Sequence, residues 1–204
     1  WKDLGHALVP PDAQQGDIVR STRFFISSQY RKRLTPELHL TGKAMWFRND
    51  WDDTIDTLTN NSRSDVLRAD IQVTWTPLPE HIATFGVEGN VEGVDADLFG
   101  NRKGAGGALY AQDEIALISA LRFTVGVRWD YHDRDSLEAN SQFNPKAGLV
   151  YSPAAGTALR ASYGRGFRTP SVAEAFIVTQ AGGVDIIPNP SLQAERSASV
   201  EVGV

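Results

Sequence analysis

Strict alternation of apolar and polar residues is the feature that most constrains this chain. Leu67, Ala69, Ile71, Val73 and Trp75 occupy every second position of one stretch, with Arg68, Asp70, Gln72 and Thr74 between them. Leu121, Phe123, Val125, Val127, Trp129 and Tyr131 repeat the pattern against Arg122, Thr124, Gly126, Arg128 and Asp130. Side chains alternate across a β-strand, so each run carries one apolar and one wet face. Further runs at 22–31, 36–48, 81–94, 106–116, 144–152, 157–166 and 195–204 bring the expectation to about nine strands. No helical period competes over a long window, although 170–179 has room for one short helical turn.

The connections fall into two kinds that alternate along the chain. Short turns are expected at 33–36, 77–80, 116–119 and 153–156, and long polar loops at 49–63, 95–104, 133–142 and 167–194. An up-and-down antiparallel sheet with tight turns at one end and long loops at the other produces this order, as in outer-membrane barrels. The expected strands match the roughly 9–11 residues that a tilted strand needs to cross a bilayer. Tyr30, Trp46, Trp75, Trp129, Tyr131, Tyr151 and Tyr163 sit near strand ends, where an interfacial ring keeps its polar atom hydrated.

Composition decides between membrane classes. With 41% hydrophobic and 22% charged residues, the chain contains no apolar run near the roughly 20 residues of a spanning helix. A barrel escapes that test, because alternation keeps its average hydropathy low. A net charge of −5 argues against a nucleic-acid partner. Without cysteine there is neither a disulfide framework nor a thiolate metal site. The chain opens on Trp1-Lys2-Asp3 and stops at Val204 inside an alternating run, so it is expected to be part of a longer protein.

The second half carries a recognisable succession of motifs. It reads Asn144-Pro145-Lys146-Ala147-Gly148-Leu149-Val150-Tyr151, then Leu159-Arg160-Ala161-Ser162-Tyr163-Gly164-Arg165-Gly166-Phe167-Arg168-Thr169-Pro170-Ser171, then Asn189-Pro190-Ser191-Leu192-Gln193-Ala194-Glu195. These stretches, with Gln112-Asp113-Glu114 and Gly126-Val127-Arg128-Trp129-Asp130, resemble the barrel of TonB-dependent outer-membrane receptors. Ala194 stands where that family usually has Pro, and Trp129 where Tyr is common. The resemblance implies an all-β fold: a partial antiparallel up-and-down transmembrane β-barrel, about nine strands of a larger one. Residues 1–204 would then form part of the barrel domain, with the plug domain and the C-terminal strands outside this sequence. It further implies a segment of an energy-coupled receptor importing a ferric siderophore or cobalamin-like chelate, partnered by the TonB protein through the plug and by outer-membrane lipid. No cofactor is implied. A passive porin-type barrel and a soluble β-rich binding domain are the alternatives.

Candidate site residues follow from the alternation. Arg68, Asp70, Gln72, Glu88, Arg122, Arg128 and Arg160 lie on the wet faces and are expected to point into the lumen. Facing lipid would cost about 2–4 kcal/mol for each Arg or Lys at midplane. Arg168 and Trp51 are the ligand-binding candidates, Arg168 because Arg165 shares parity with apolar Leu159 and Tyr163. Trp51 sits among Asp50, Asp52, Asp53 and Asp56, an acidic stretch otherwise read as a hydrated loop. The histidines His6, His39, His81 and His132 make no ligand pair. Asp130, His132, Asp133 and Asp135 read as a strand running into a solvated loop. The 104–107 segment lacks the Lys-Ser/Thr of a phosphate loop, and Ser162 and Ser171 lack a nucleophile-elbow frame, so no enzymatic activity is expected. The 167–195 segment is expected outside the membrane, with Gly182-Gly183 letting it fold back.

Overall fold

The computed structural model describes residues 18–55, 58–135, 137–181 and 184–204. His6, Asp56 and Gly182-Gly183 lie outside the described residues. The main sheet takes its strands in chain order: β1 (Ile18–Arg33), β2 (Leu38–Ile55), β3 (Leu58–Trp75), β4 (His81–Ala96), β5 (Gly100–Ile118), β6 (Leu121–Arg134), β7 (Asn140–Ala154) and β8 (Thr157–Arg168). After β8 come a short helix α1 (Val172–Phe176) and a small hairpin of β9 (Thr179–Ala181) and β10 (Val184–Ile186). Strand β11 (Glu195–Gly203) then pairs with β8, completing an antiparallel nine-stranded up-and-down sheet whose outer members are β1 and β11.

The register lines up the apolar positions across strands. Trp46, Leu67 and Val91 form one cross-strand row; Ile71, Val87, Leu109, Trp129 and Phe143 form another. These side chains are left bare: Leu67, Ile71, Val87 and Leu109 are 46–55% exposed. The buried hydrophobic residues among those described are only Ala83, Ala96, Ala108, Ala175 and Phe176, while Asp130 and Gln142 are buried polar groups. A water-soluble domain does the reverse, and so large a bare apolar face needs another solvent. Lipid supplies it.

The polar stretches expected as long loops are mostly not loops. Strands β2 and β3 are each 18 residues long and stay paired from Leu38↔Trp75 to Ile55↔Leu58. Strand β5 runs 19 residues, well beyond the roughly 9–11 that a membrane requires. Asp97 to Phe99 is all that separates β4 from β5, and Gly100 at φ 71 makes that reversal. The physical reason is that a ladder needs only backbone donors and acceptors. Where both faces are wet, nothing obliges the side chains to alternate. At the opposite end the turns are tight, Gly156 at φ 80 making the one between β7 and β8.

Proline fixes one departure from a uniform wall. Pairing of β7 with β8 stops at Lys146↔Gly164, although β7 continues on β6 to Asn140 and β8 continues on β11 to Arg168. The next β7 residue is Pro145, which has no N–H to give. From there the β8–β11 ribbon leaves β7.

Candidate functional site

The inner face is a wall of paired polar groups. Glu88 on β4 lies between two guanidinium groups, 3.6 Å from Arg68 Nε on β3 and 3.4 Å from Arg128 Nη2 on β6. Arg128 also donates from Nε to Asp130 Oδ1 at 2.8 Å, and Asn144 Nδ2 donates to Asp130 Oδ2 at 3.0 Å. Tyr110 on β5 donates its phenol to Asp70 Oδ2 at 2.8 Å, with the Arg128 guanidinium 5.8 Å from its ring centre. Gly86 makes this possible: a Cβ there would sit 2.2 Å from the Tyr110 hydroxyl, so only glycine lets the ring lie flat across β4.

Of the residues expected in the lumen, Arg68, Asp70, Gln72, Glu88 and Arg128 border one cavity of about 660 Å³. Arg122 and Arg160 keep the same parity, opposite Val150 of β7, but stand apart from that cavity. Tyr110, Lys43 and Arg165 also border it and were not singled out by sequence reasoning as lumenal. Tyr110 shares parity with Gln112, so the alternation carried that signal. Arg165 did not, since its parity is that of outward Tyr163; above Gly164 the ribbon has left β7 and the alternation with it. Phe167 confirms the turn, its ring 5.6 Å from that of inward His132.

Above the cavity residues 169–178 fold back onto the inner face. Ser171 caps α1, its hydroxyl accepting from Glu174 N while the Glu174 side chain accepts from Ser171 N. Phe176 is buried beneath Arg102, whose guanidinium is 4.4 Å from the ring centre. Arg134 donates to the Pro170 carbonyl and to Glu92, and Val178 N donates to Leu98 O at 3.4 Å. Arg168 is fully engaged here. It donates from Nη1 to both Glu174 oxygens at 3.0 and 2.9 Å, and from Nε and Nη2 to Glu195 at 3.1 and 2.9 Å. Arg168 and the Ser171 cap hold the Glu174 carboxyl down to about 2, and Arg168 likewise lowers that of Glu195. Arg168 therefore latches the segment.

Trp51 shares the parity of Met45, which borders the cavity, and stands opposite Ser21 and Ser62 high on the inner side. Of the acidic residues around it Asp50 is paired, as is Asp97 beside it. Arg63 donates to Asp50 at 2.5 Å, and Asp97 accepts from Asn61 N and Nδ2 at 2.8 and 3.1 Å. On the outer side, just above Leu67, Asp65 accepts from both Arg48 and the Trp46 indole N–H. Trp46 packs 5.3 Å from Phe24, which marks the upper limit of the apolar band. Of the 130–135 cluster, Asp130 is tied to Arg128 and Asn144, and Asp135 accepts from Lys103 N at 2.9 Å, so alternation splits it.

Comparison with known proteins agrees with this architecture. The profile of the family described as TonB dependent receptor-like, beta-barrel, matches residues 8–204. The chain is 31% identical over 142 residues to an iron-regulated outer membrane virulence protein of one Vibrio cholerae strain, covering 63% of this chain and 20% of that protein. It is 27% identical to the protein of the same name from a second strain, over 93% of this chain and 30% of that protein. The chain thus spans under a third of those relatives. Among solved structures, the Serratia marcescens hemophore receptor HasR superposes with TM-score 0.79 at 16% identity, over 91% of this chain and 36% of that one. The closed form of the Escherichia coli ferric-catecholate import receptor Fiu gives 0.74 at 13% identity, over 94% and 39%. The Acinetobacter baumannii siderophore receptor PiuA gives 0.71 at 14% identity, over 95% and 40%. At these identities the likeness is one of fold.

Proposed function

This chain belongs to the TonB-dependent receptor β-barrel family and lies in the outer membrane, and we propose that it is a wall segment of an energy-coupled receptor importing an iron chelate. The observation that carries this reading is the inner face. Four of its charges are held by each other across three strands, β3, β4 and β6, as Arg68–Glu88–Arg128–Asp130, rather than spread around an open aqueous pore. A second support is the latched segment over the mouth, which narrows access to whatever fits past α1. A passive pore gains nothing from such a cover.

In this reading the chelate meets the mouth first, where Trp51 and residues 169–178 face the inner side. The plug, coupled to TonB, then yields, and the wall forms the passage. The chain's own residues bind, orient and exclude; they carry out no covalent step. The names of the similar proteins, an iron-regulated outer membrane virulence protein, a hemophore receptor and a siderophore receptor, favour an iron-bearing cargo.

The test uses the full-length receptor in iron-starved cells. Uptake of radio-iron chelates should stop when TonB is deleted or when a protonophore collapses the energising gradient, while binding at the cell surface persists. Uptake that survives both treatments identifies a passive barrel instead.

A further inference from the structure

Four glycines of the inner face each lie under a large side chain of the next strand. Gly86 on β4, Gly104 and Gly106 on β5 and Gly126 on β6 have Tyr110, Arg134, His132 and Lys146 as their direct register partners. A Cβ at Gly104 would meet Arg134 Cγ at 2.8 Å, one at Gly106 would meet His132 Nδ1 at 2.8 Å, and one at Gly126 would meet Lys146 Cε at 2.8 Å. The Tyr110 ring lies closer still over Gly86. Glycines of the outer face are different. A Cβ on Gly42, Gly89 or Gly93, which share the parity of the bare apolar side chains, would meet nothing within 4 Å.

Two of these side chains reach past the glycine to the strand beyond it. Tyr110 on β5 crosses β4 at Gly86 and donates to Asp70 on β3 at 2.8 Å. Arg134 on β6 crosses β5 at Gly104 and donates to Glu92 on β4. A third tie, Arg128 on β6 to Glu88 on β4 at 3.4 Å, passes β5 at the level of Ala108, the register partner of Glu88. Backbone ladders join each strand only to its immediate neighbours, whereas these contacts join strands two apart on the concave side of the wall. Curling a sheet crowds the side chains of its concave face, and a glycine relieves that crowding where the bend is made. A tie across the concave side shortens the chord between the strands it joins, so it opposes flattening. Strands β1 to β3 place no glycine on the inner face, Gly42 being outward.

We infer that these small-residue braces are a conformational device that sets the inward curl of the wall from β3 to β6, and with it the bore of the barrel at that level. Backbone pairing alone can be complete while the wall is still too flat; the side chains of the inner face supply the remaining bend. The device concerns the shape of the wall and acts whatever passes through it, so it goes beyond the receptor reading. Strands β1 to β3 take their curvature from their neighbours.

The experiment uses the full-length receptor with two readouts, the heat-modifiable folded fraction and the distance between nitroxide labels on cysteines at Ile71 and Phe143. Those positions end one outward row, Ile71 to Phe143 across β3 to β7, and flattening brings labels on the convex side closer together. Tyr110→Phe combined with Glu92→Ala removes two ties without crowding a glycine, and should give a folded barrel with a shorter and broader label distance. Should that pair of changes prevent folding, Tyr110→Phe alone carries the distance measurement. Gly86→Ala should lower the folded fraction about fivefold, while Gly89→Ala, on the opposite face of the same strand, stays within about twofold of wild type. Adding Tyr110→Ala to Gly86→Ala should restore the folded fraction, since the ring that met the new methyl is gone, and leave the label distance short. An unchanged distance in the variants that lack ties overturns the inference. So does equal loss of folded barrel at Gly86 and Gly89, or a double variant that does not recover, because the glycine would then serve the backbone and not the side chain lying across it.

Discussion

The lower and upper parts of this sheet obey different rules although the same strands run through both. Between Leu67 and Trp75, β3 alternates strictly, with bare apolar side chains on one face and paired charges on the other. Between Leu58 and Val66 the same strand continues its ladder with Thr, Asn, Ser, Arg and Asp on both faces. In lipid the side chains specify the register, since a one-residue slip would turn every charge outward. In water the register is inherited from below and reinforced by cross-strand ion pairs such as Arg63–Asp50 and Arg48–Asp65. The lesson is that alternation reports a difference between two solvents, not the presence of a strand.

The largest expected effect comes from putting a charge on the apolar face. Ile71→Arg should cost about 2–4 kcal/mol in the full receptor and strongly reduce heat-modifiable, folded barrel in outer-membrane extracts. Thr59→Arg, twelve residues up the same face of the same strand, should stay within about 0.5 kcal/mol. Equal effects at the two positions would break the comparison. A cysteine at Val73 or Val125 should react with a membrane-soluble reagent while one at Gln72 or Thr124 is spared, and the inverse pattern would reverse the faces.

Next in size is Glu88→Gln. It leaves Arg68 and Arg128 without their shared carboxylate and should cost about 1–3 kcal/mol in denaturant unfolding of the full receptor in detergent. Asp65→Asn removes the corresponding upper pair, where water and salt compete. It should cost about 0.5–1 kcal/mol, and the loss should shrink at high ionic strength. A larger penalty above than below would contradict the two-solvent account.

The smallest effect concerns acid. Glu174 is held down to about 2 in the folded protein, chiefly by Arg168. A depressed carboxylate stabilises above its unfolded value, and that contribution fades as pH falls toward the folded one. Protection factors across α1, with the intrinsic pH dependence of amide exchange divided out, should therefore be the same at pH 5 as at pH 7 and erode only below about pH 4. Erosion between pH 7 and 5 would place the latch elsewhere.

What could be read in advance follows the same division. The antiparallel up-and-down sheet, its partial-barrel character and its tight turns were legible because lipid forces alternation and glycine and proline punctuate it. The upper ends of β2 and β3 and the first residues of β5 fall in stretches whose composition predicts loops, because hydrated ladders place no demand on side-chain order. That Arg68, Asp70, Gln72, Glu88 and Arg128 share one face and border one cavity follows from parity alone. The place of Arg165 beside them does not, since parity holds only while a strand stays in its ladder, and Pro145 ends that ladder by lacking a donor. The engagement of Arg168 with Glu174 and Glu195 needs three-dimensional proximity across the excursion, to which no local pattern points.

That engagement has a consequence for how such a receptor diversifies. Arg168 and Glu195 are direct register partners, so the segment between them leaves and returns at one point of the wall. Its two ends stay adjacent whatever lies between. Doubling the length of a flexible insert costs only about 0.6 kcal/mol in closure entropy, little against a sheet already fixed. The excursion is in effect a cassette: a different one, longer or shorter, can be spliced in at Arg168 and Glu195 without the barrel having to learn a new way to fold.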